Sequence, residues 1–142
     1  MKIITYPNSI LEKKAQNIKN PLDAKIQELI PQMIQAMREN SGMGLAAPQV
    51  GESIRLCIIE NLGKIYILIN PKITAHSKEK KNSEEGCLSF PGKFIPVTRF
   101  ETVQVRYLNE KGEKCKIKAK DLLARAFQHE IDHLDGILFI NK

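Results

Sequence analysis

His129, Glu130 and His133 stand in the pattern H-E-x-x-H within the stretch QHEIDHLDG, Gln128 to Gly136. Positions four apart share a face of a helix, so both imidazoles can bind one metal ion. Glu130 lies beside them and can handle a proton of water held at such a site. A third protein ligand is then normally needed. One zinc-protease pattern continues as H-E-x-x-H-x-x-G-x-x-H. Here the match runs through Gly136 and fails at Phe139, which cannot bind a metal. No residue after His133 is Glu, His or Cys, and Asp135 is too close on the same helix end to complete a tetrahedral site.

Upstream, the candidates for the third ligand are His76, Cys57, Cys87 and Cys115. Cys57 lies amid Leu56, Ile58 and Ile59, which fits a buried, inert thiol. Cys115, Ile117 and Ala119 alternate with Lys116, Lys118 and Lys120, which puts Cys115 on an apolar, packing face. His76 falls in a polar segment, where a solvated imidazole is usual. Cys87 is different: Gly86 precedes it, and glycine lets a backbone approach another group closely. A thiolate beside a divalent cation is deprotonated and firmly bound. Cys87 is the favoured ligand on these grounds. Two rival readings stay open: a zinc endopeptidase, and a module that uses the Cys and His residues structurally, which would normally need a fourth protein ligand.

The elements that must position these groups are partly periodic. In PLDAKIQELIPQMIQAMREN, Ile26, Leu29, Ile30, Met33, Ile34 and Met37 recur at helical spacing. Pro21 and Asp23 suit the start of that helix, and Pro31 inside it predicts a kink or one lost hydrogen bond. SGMGLAAPQVG, Ser41 to Gly51, carries three glycines and a proline and reads as a loop. IRLCIIE and KIYILIN read as two strands joined by a turn at Asn61, Leu62 and Gly63. His76 to Glu84 is polar and reads as an exposed loop. ETVQVRYL and KCKIKAK form a second hairpin around Asn109 to Gly112. Asp121 can cap the following helix, and Gly136 can end it.

The sequence has 142 residues, 42 % of them hydrophobic and 27 % charged, so it reads as one domain with an ordinary core. No apolar run is long enough to span a bilayer, and the first residues, MKIITYPN, lack the apolar stretch of a signal peptide. Three cysteines argue against a disulfide framework and for a reducing compartment. The net charge of +6 is compatible with work near RNA, but a solvated lysine-rich face is the simpler reading, and no specific nucleic-acid motif is present.

Three motifs stand in order along the chain: GMGLAAPQ from Gly42 to Gln49, EGCLS from Glu85 to Ser89, and QHEIDHLDG from Gln128 to Gly136. Together they resemble the peptide deformylase family over essentially the whole chain. The resemblance implies an α+β fold with antiparallel strands packed around a central helix that carries H-E-x-x-H. It implies one catalytic domain over residues 1–142, without the C-terminal helical extension of longer members. By the same resemblance Cys87, His129 and His133 are metal ligands for one divalent ion, natively Fe²⁺, with Zn²⁺ or Ni²⁺ able to occupy the site. Glu130 is the general base and later proton donor, and the Gln49 side chain and Leu88 backbone N–H are oxyanion donors. The substrate implied is the N-formyl-methionyl end of a nascent peptide, near the ribosome exit, and the products are formate and a free amine. The implied setting is cytoplasmic, in a bacterium or in the host of a phage, for a monomer with no membrane partner.

Methionine is unbranched and apolar, so its site should be an apolar slot beside the metal. Leu122 and Ala126 precede His129 by seven and three positions, near its face of the helix. Met43 lies close in sequence to Gln49. Met43, Leu122 and Ala126 are expected to line the slot, with Phe94, which stands where many family members carry a basic residue. The family's binding mode implies a peptide backbone laid along Met43–Gly44 and Gly86 as an added strand. Asp132 points away from the histidine face and is expected to pair with Arg99, which follows EGCLS closely, at a spacing where the family pattern also has a basic residue. Each histidine should use its second ring nitrogen to donate to an acceptor.

Overall fold

The computed structural model describes Met1–Lys142. Seven strands and two α-helices follow in the order α1 (Ala24–Glu39), β1 (Gly44–Ala46), β2 (Leu56–Asn61), β3 (Lys64–His76), β4 (Lys80–Cys87), β5 (Phe90–Phe100), β6 (Thr102–Leu108), β7 (Lys114–Lys120) and α2 (Asp121–Leu134). Five strands form one sheet in the order β1-β2-β3-β6-β7, and β4 and β5 form a two-stranded sheet. Every named pairing is antiparallel. The architecture is α+β, as expected.

The unbroken apolar run in β2 follows from burial on both faces. Cys57 and Ile59 join Phe127, Ile131 and Leu134 of α2 in one core. Leu56 and Ile58 point the other way and meet Ile26, Ile30, Met33 and Met37 of α1 in a second core. The helices therefore clamp opposite faces of the large sheet. Asp23 caps α1, accepting a hydrogen bond from the Lys25 N–H at 2.9 Å. α1 runs on through Pro31, its apolar stripe held by packing. The hairpin turns stand where expected: Leu62 and Gly63 take φ 52° and 78° between β2 and β3.

Three expectations are corrected. Ser41 to Gly51 is not all loop: β1 pairs along β2, Leu45 opposite Ile58, and Ala47–Val50 forms a 3₁₀ turn. Pairing against an apolar strand overrides the glycine signal there. The segment His76 to Glu84 is exposed but largely extended, since β3 runs to His76 and β4 starts at Lys80. Its polar residues hide the strand because the backbone bonds to β5, Glu85 opposite Ile95, carry the structure. Asp121 does not cap α2. It is the first helical residue, with φ 56°, and Lys120 holds the cap position without a side-chain hydrogen bond. Gly136 does follow the end of α2, at φ 74°, and a Cβ there would lie 2.7 Å from the Glu12 carbonyl oxygen. No helix is long and apolar enough to cross a membrane.

Candidate metal centre

α2 presents His129, Glu130 and His133, all buried, and the end of β4 brings Cys87 to them. The ligand atoms of Cys87, His129 and His133 lie within 4.8 Å of one another, with Cys87 Sγ 3.3 Å from His133 Nε2. Neighbouring ligands of a tetrahedral ion bound through sulfur and nitrogen stand about 3.6 Å apart, from bond lengths of about 2.3 and 2.1 Å. The group fits a soft or borderline divalent ion. Glu130 Oε1 is buried without a protein partner beside it, which suits a group that handles water rather than one that braces the fold. The other candidates do not join. Cys57 is buried in the core, Cys115 lies on β7, and His76 is exposed and stacked on Phe100. Phe139, where a protease would place its third histidine, packs edge-on against His129.

The surroundings orient each group. Glu85 accepts from His129 Nδ1 at 2.9 Å, which leaves Nε2 for the site. Arg99 donates to both oxygens of Glu85, at 2.6 and 3.0 Å, and to Asp132 at 2.8 Å. Arg125 also pairs with Glu85. The Asp132–Arg99 pair is thus present, but Glu85, which joins it to the histidine, stands in the sequence only as the first residue of EGCLS, with no role assigned to it. His133 departs from expectation: its Nδ1 is buried with no partner. Gln128 Oε1 accepts from the Phe100 N–H and its Nε2 donates to the Phe100 carbonyl, which ties α2 to β5. Gln49 is held by its own amide: Oε1 accepts from Ala46 N–H at 2.9 Å, and Nε2 donates to Ser89 Oγ at 3.0 Å, 3.6 Å from Cys87 Sγ. The Leu88 backbone N–H donates to no other protein group.

Charge follows from this packing. Burial works to raise the Glu85 carboxyl, but the hydrogen bonds from His129 and Arg99 outweigh it and bring its pKa to about 2. Burial opposes a charge on His129, and the sulfur of Cys87 and the carboxylate of Glu85 outweigh it, raising its pKa to about 10. His133 is pushed well down, by burial first and then by the charges of His129 and Arg99. Burial raises Glu130 to about 7, against the pull of His129 and Arg99.

A cavity of about 570 Å³ opens onto Cys87, His129, Glu130, Gln49 and Leu88. Met43, Gly44, Gly86, Phe94, Leu122 and Ala126 all border it. Leu122 is 58 % exposed and Phe94 65 %, so Leu122 is no core residue; Ala126 is buried and belongs to both core and cavity wall. Gly44 and Gly86 matter sterically. A Cβ on Gly44 would lie 2.6 Å from Glu130 Oε2, and one on Gly86 would lie 2.7 Å from the Phe94 ring.

The family model for polypeptide deformylase matches residues 1–142. The chain is 46 % identical to the peptide deformylase of Natranaerobius thermophilus, over 99 % of this chain and 90 % of that one. It superposes on the crystal structure of the Thermotoga maritima peptide deformylase with a TM-score of 0.96 at 37 % identity, over 99 % of this chain and 95 % of that one. A peptide deformylase of Synechococcus elongatus, crystallised with actinonin, gives 0.95 at 39 % identity, over 98 % of this chain and 76 % of that one.

Proposed function

The chain belongs to the peptide deformylase family, metallohydrolases that remove the formyl group from N-formyl-methionyl peptides, and on that premise we propose which of its residues do so. Cys87, His129 and His133 hold one divalent ion, Fe²⁺ natively, with Zn²⁺ or Ni²⁺ able to replace it. The observation that carries this assignment is their convergence within 4.8 Å, with Cys87 and His129 bordering the cavity, beside a buried carboxylate oxygen with no protein partner. When bound, such an ion supplies Lewis acidity that lowers the pKa of water from ~15.7 to roughly 7.

Glu130 takes the proton of the attacking water at its carboxylate and delivers it to the departing amine nitrogen. Burial raises its carboxyl above the ordinary carboxylate range, which favours holding the proton between the two transfers. As charge builds on the formyl oxygen, Gln49 Nε2 and the Leu88 N–H donate to it. Gln49 arrives oriented, because Ala46 N–H already occupies its oxygen. Loss of one such donor costs on the order of 3 kcal/mol. A formyl group has only hydrogen beyond its carbonyl, so a cramped site excludes larger acyl groups. Met43, Leu122, Ala126 and Phe94 receive the methionine side chain. The peptide backbone adds along Met43–Gly44 and Gly86. β1 and β4 each pair on one side only, which leaves backbone groups for that strand. Residues 1–142 act as one catalytic domain, a cytoplasmic monomer that meets nascent chains near the ribosome.

Formate release from formyl-Met-Ala-Ser tests this reading. The protein is expected to release formate, to lose the activity on chelation and to regain it with Fe²⁺, while leaving acetyl-Met-Ala-Ser intact. Cleavage of the Met–Ala bond without formate would favour an endopeptidase and overturn it.

A further inference from the structure

α1 covers only part of its face of the large sheet. Leu56, Ile58 and Ile69 pack beneath it, but most of the same face of β6 and β7 is left open. Register defines what that open face carries. Val103, Val105 and Tyr107 pair with Ala119, Ile117 and Cys115 on the inner side, toward α2. The outer rows are Arg106 with Lys116, Gln104 with Lys118, Thr102 with Lys120 and Leu108 with Lys114. On β3, Lys72 pairs with Arg106, so Lys72, Arg106 and Lys116 form one row across three strands. All six cations of this face are exposed, and none takes part in an ion pair. Like charges placed directly opposite across a sheet destabilise it. A row of three, with no carboxylate engaged, is an arrangement that an external anion would relieve.

Successive lysines on β7 stand about 6.8 Å apart along the strand. A polyanion with regularly spaced charges can meet several at once. The exposed large hydrophobic side chains are Met1, Tyr6, Leu22, Leu62, Phe94, Leu122 and Ile137. None lies on β6 or β7, so the face has no aromatic platform for unpaired bases and no apolar wedge for a bilayer. Phosphates of a duplex are the partner that needs neither. We propose that the outer face of β3, β6 and β7, built on Lys72, Arg106, Lys114, Lys116, Lys118 and Lys120, binds the phosphate backbone of a nucleic-acid duplex without sequence preference. The face lies on the side of the sheet away from α2, so a bound duplex leaves the metal centre open.

The test is fluorescence anisotropy of a short labelled RNA duplex with the full-length, metal-loaded protein. Six phosphate contacts predict an affinity loss of roughly a thousandfold between about 50 and 200 mM salt. The triple variant Lys116→Gln, Lys118→Gln, Lys120→Gln should bind at least tenfold more weakly at the lower salt. Its slope of log affinity against log salt should fall by roughly 3, and formate release should be unchanged. A control variant, Lys2→Gln, Lys13→Gln, Lys64→Gln, removes the same charge elsewhere and should bind as the wild type does. The proposal is overturned if the wild type does not bind the duplex at about 50 mM salt. It is equally overturned if the control weakens binding as much as the β7 variant. Binding to phosphatidylserine vesicles in place of the duplex would assign the face to a membrane surface instead.

Discussion

Gly44 shows how tightly a single residue constrains the chemistry. A methyl group at that position would lie 2.6 Å from Glu130 Oε2 and 2.9 Å from its carboxyl carbon, well inside contact distance. Glu130 is itself buried, so its carboxylate has little room to move aside. Gly44→Ala should therefore displace the carboxylate. A misplacement of about 1 Å can cost roughly a hundredfold in rate. We predict a loss of that order in kcat, with metal content and the thermal transition retained. A variant that keeps wild-type turnover would mean that Glu130 is not held where the reaction needs it. Gly42 meets Leu88 in the same manner, at 2.7 Å, and Gly86 meets Phe94. Three glycines of the two upstream motifs thus each make room for one neighbour at the cavity.

At the scale of elements, the bond between β4 and α2 decides whether the centre assembles. Glu85 of β4 receives His129 of α2 and Arg99 of β5, and Arg99 continues to Asp132 of α2. Arg99 is 3 % exposed, so Arg99→Ala leaves Glu85 with Arg125 and His129 alone, and Asp132 with only the more distant Lys142, in a poorly solvated place. Breaking a buried pair on one side costs about 3–5 kcal/mol. Denaturant unfolding of the metal-free protein should show that loss, and a change under about 1 kcal/mol would place the pair among weak surface bridges. The Arg99–Asp132 part of this network was legible in the sequence, from a helix face together with the basic residue that the family pattern places at this spacing, whereas the pairing of Glu85 was not. Its partners lie 14 and 44 positions away, and nothing in local spacing distinguishes it from Glu84. The same contrast runs through the fold. α1, α2 and the β2–β3 and β6–β7 hairpins carry periodic burial that a sequence displays. β4 does not, because its side chains up to Glu84 face solvent and only backbone pairing with β5 makes it a strand. Cys87 was separable from Cys57 and Cys115 because those two sit in patterns that packing already explains.

Over the whole molecule, the cavity is assembled from the segment around β1, the β4–β5 hairpin and α2, so its shape reports the packing of all three. Ala126 is the small residue that α2 contributes to its wall, about one turn before His129. Ala126→Phe should fill the methionine slot and lower kcat/KM for formyl-Met peptides at least tenfold, since losing a full apolar side-chain site is worth about 1.5–3 kcal/mol. Metal content should not change, and unaltered kcat/KM would move the slot elsewhere. The clamp of α1 and α2 on the two faces of one sheet leaves the hydrolytic centre on one side and the lysine-bearing face on the other, so the two can be perturbed separately. We propose that a metal held by Cys87, His129 and His133 works with Glu130 as the proton-transfer group. This proposal is tested most directly by formate release from formyl-Met-Ala-Ser by Glu130→Gln, with metal content measured on the same preparation. Full metal loading is expected, because the proposed ligand set does not include Glu130, with a rate lower by about 10²–10⁴-fold. A fully loaded variant that releases formate at near the wild-type rate would contradict it.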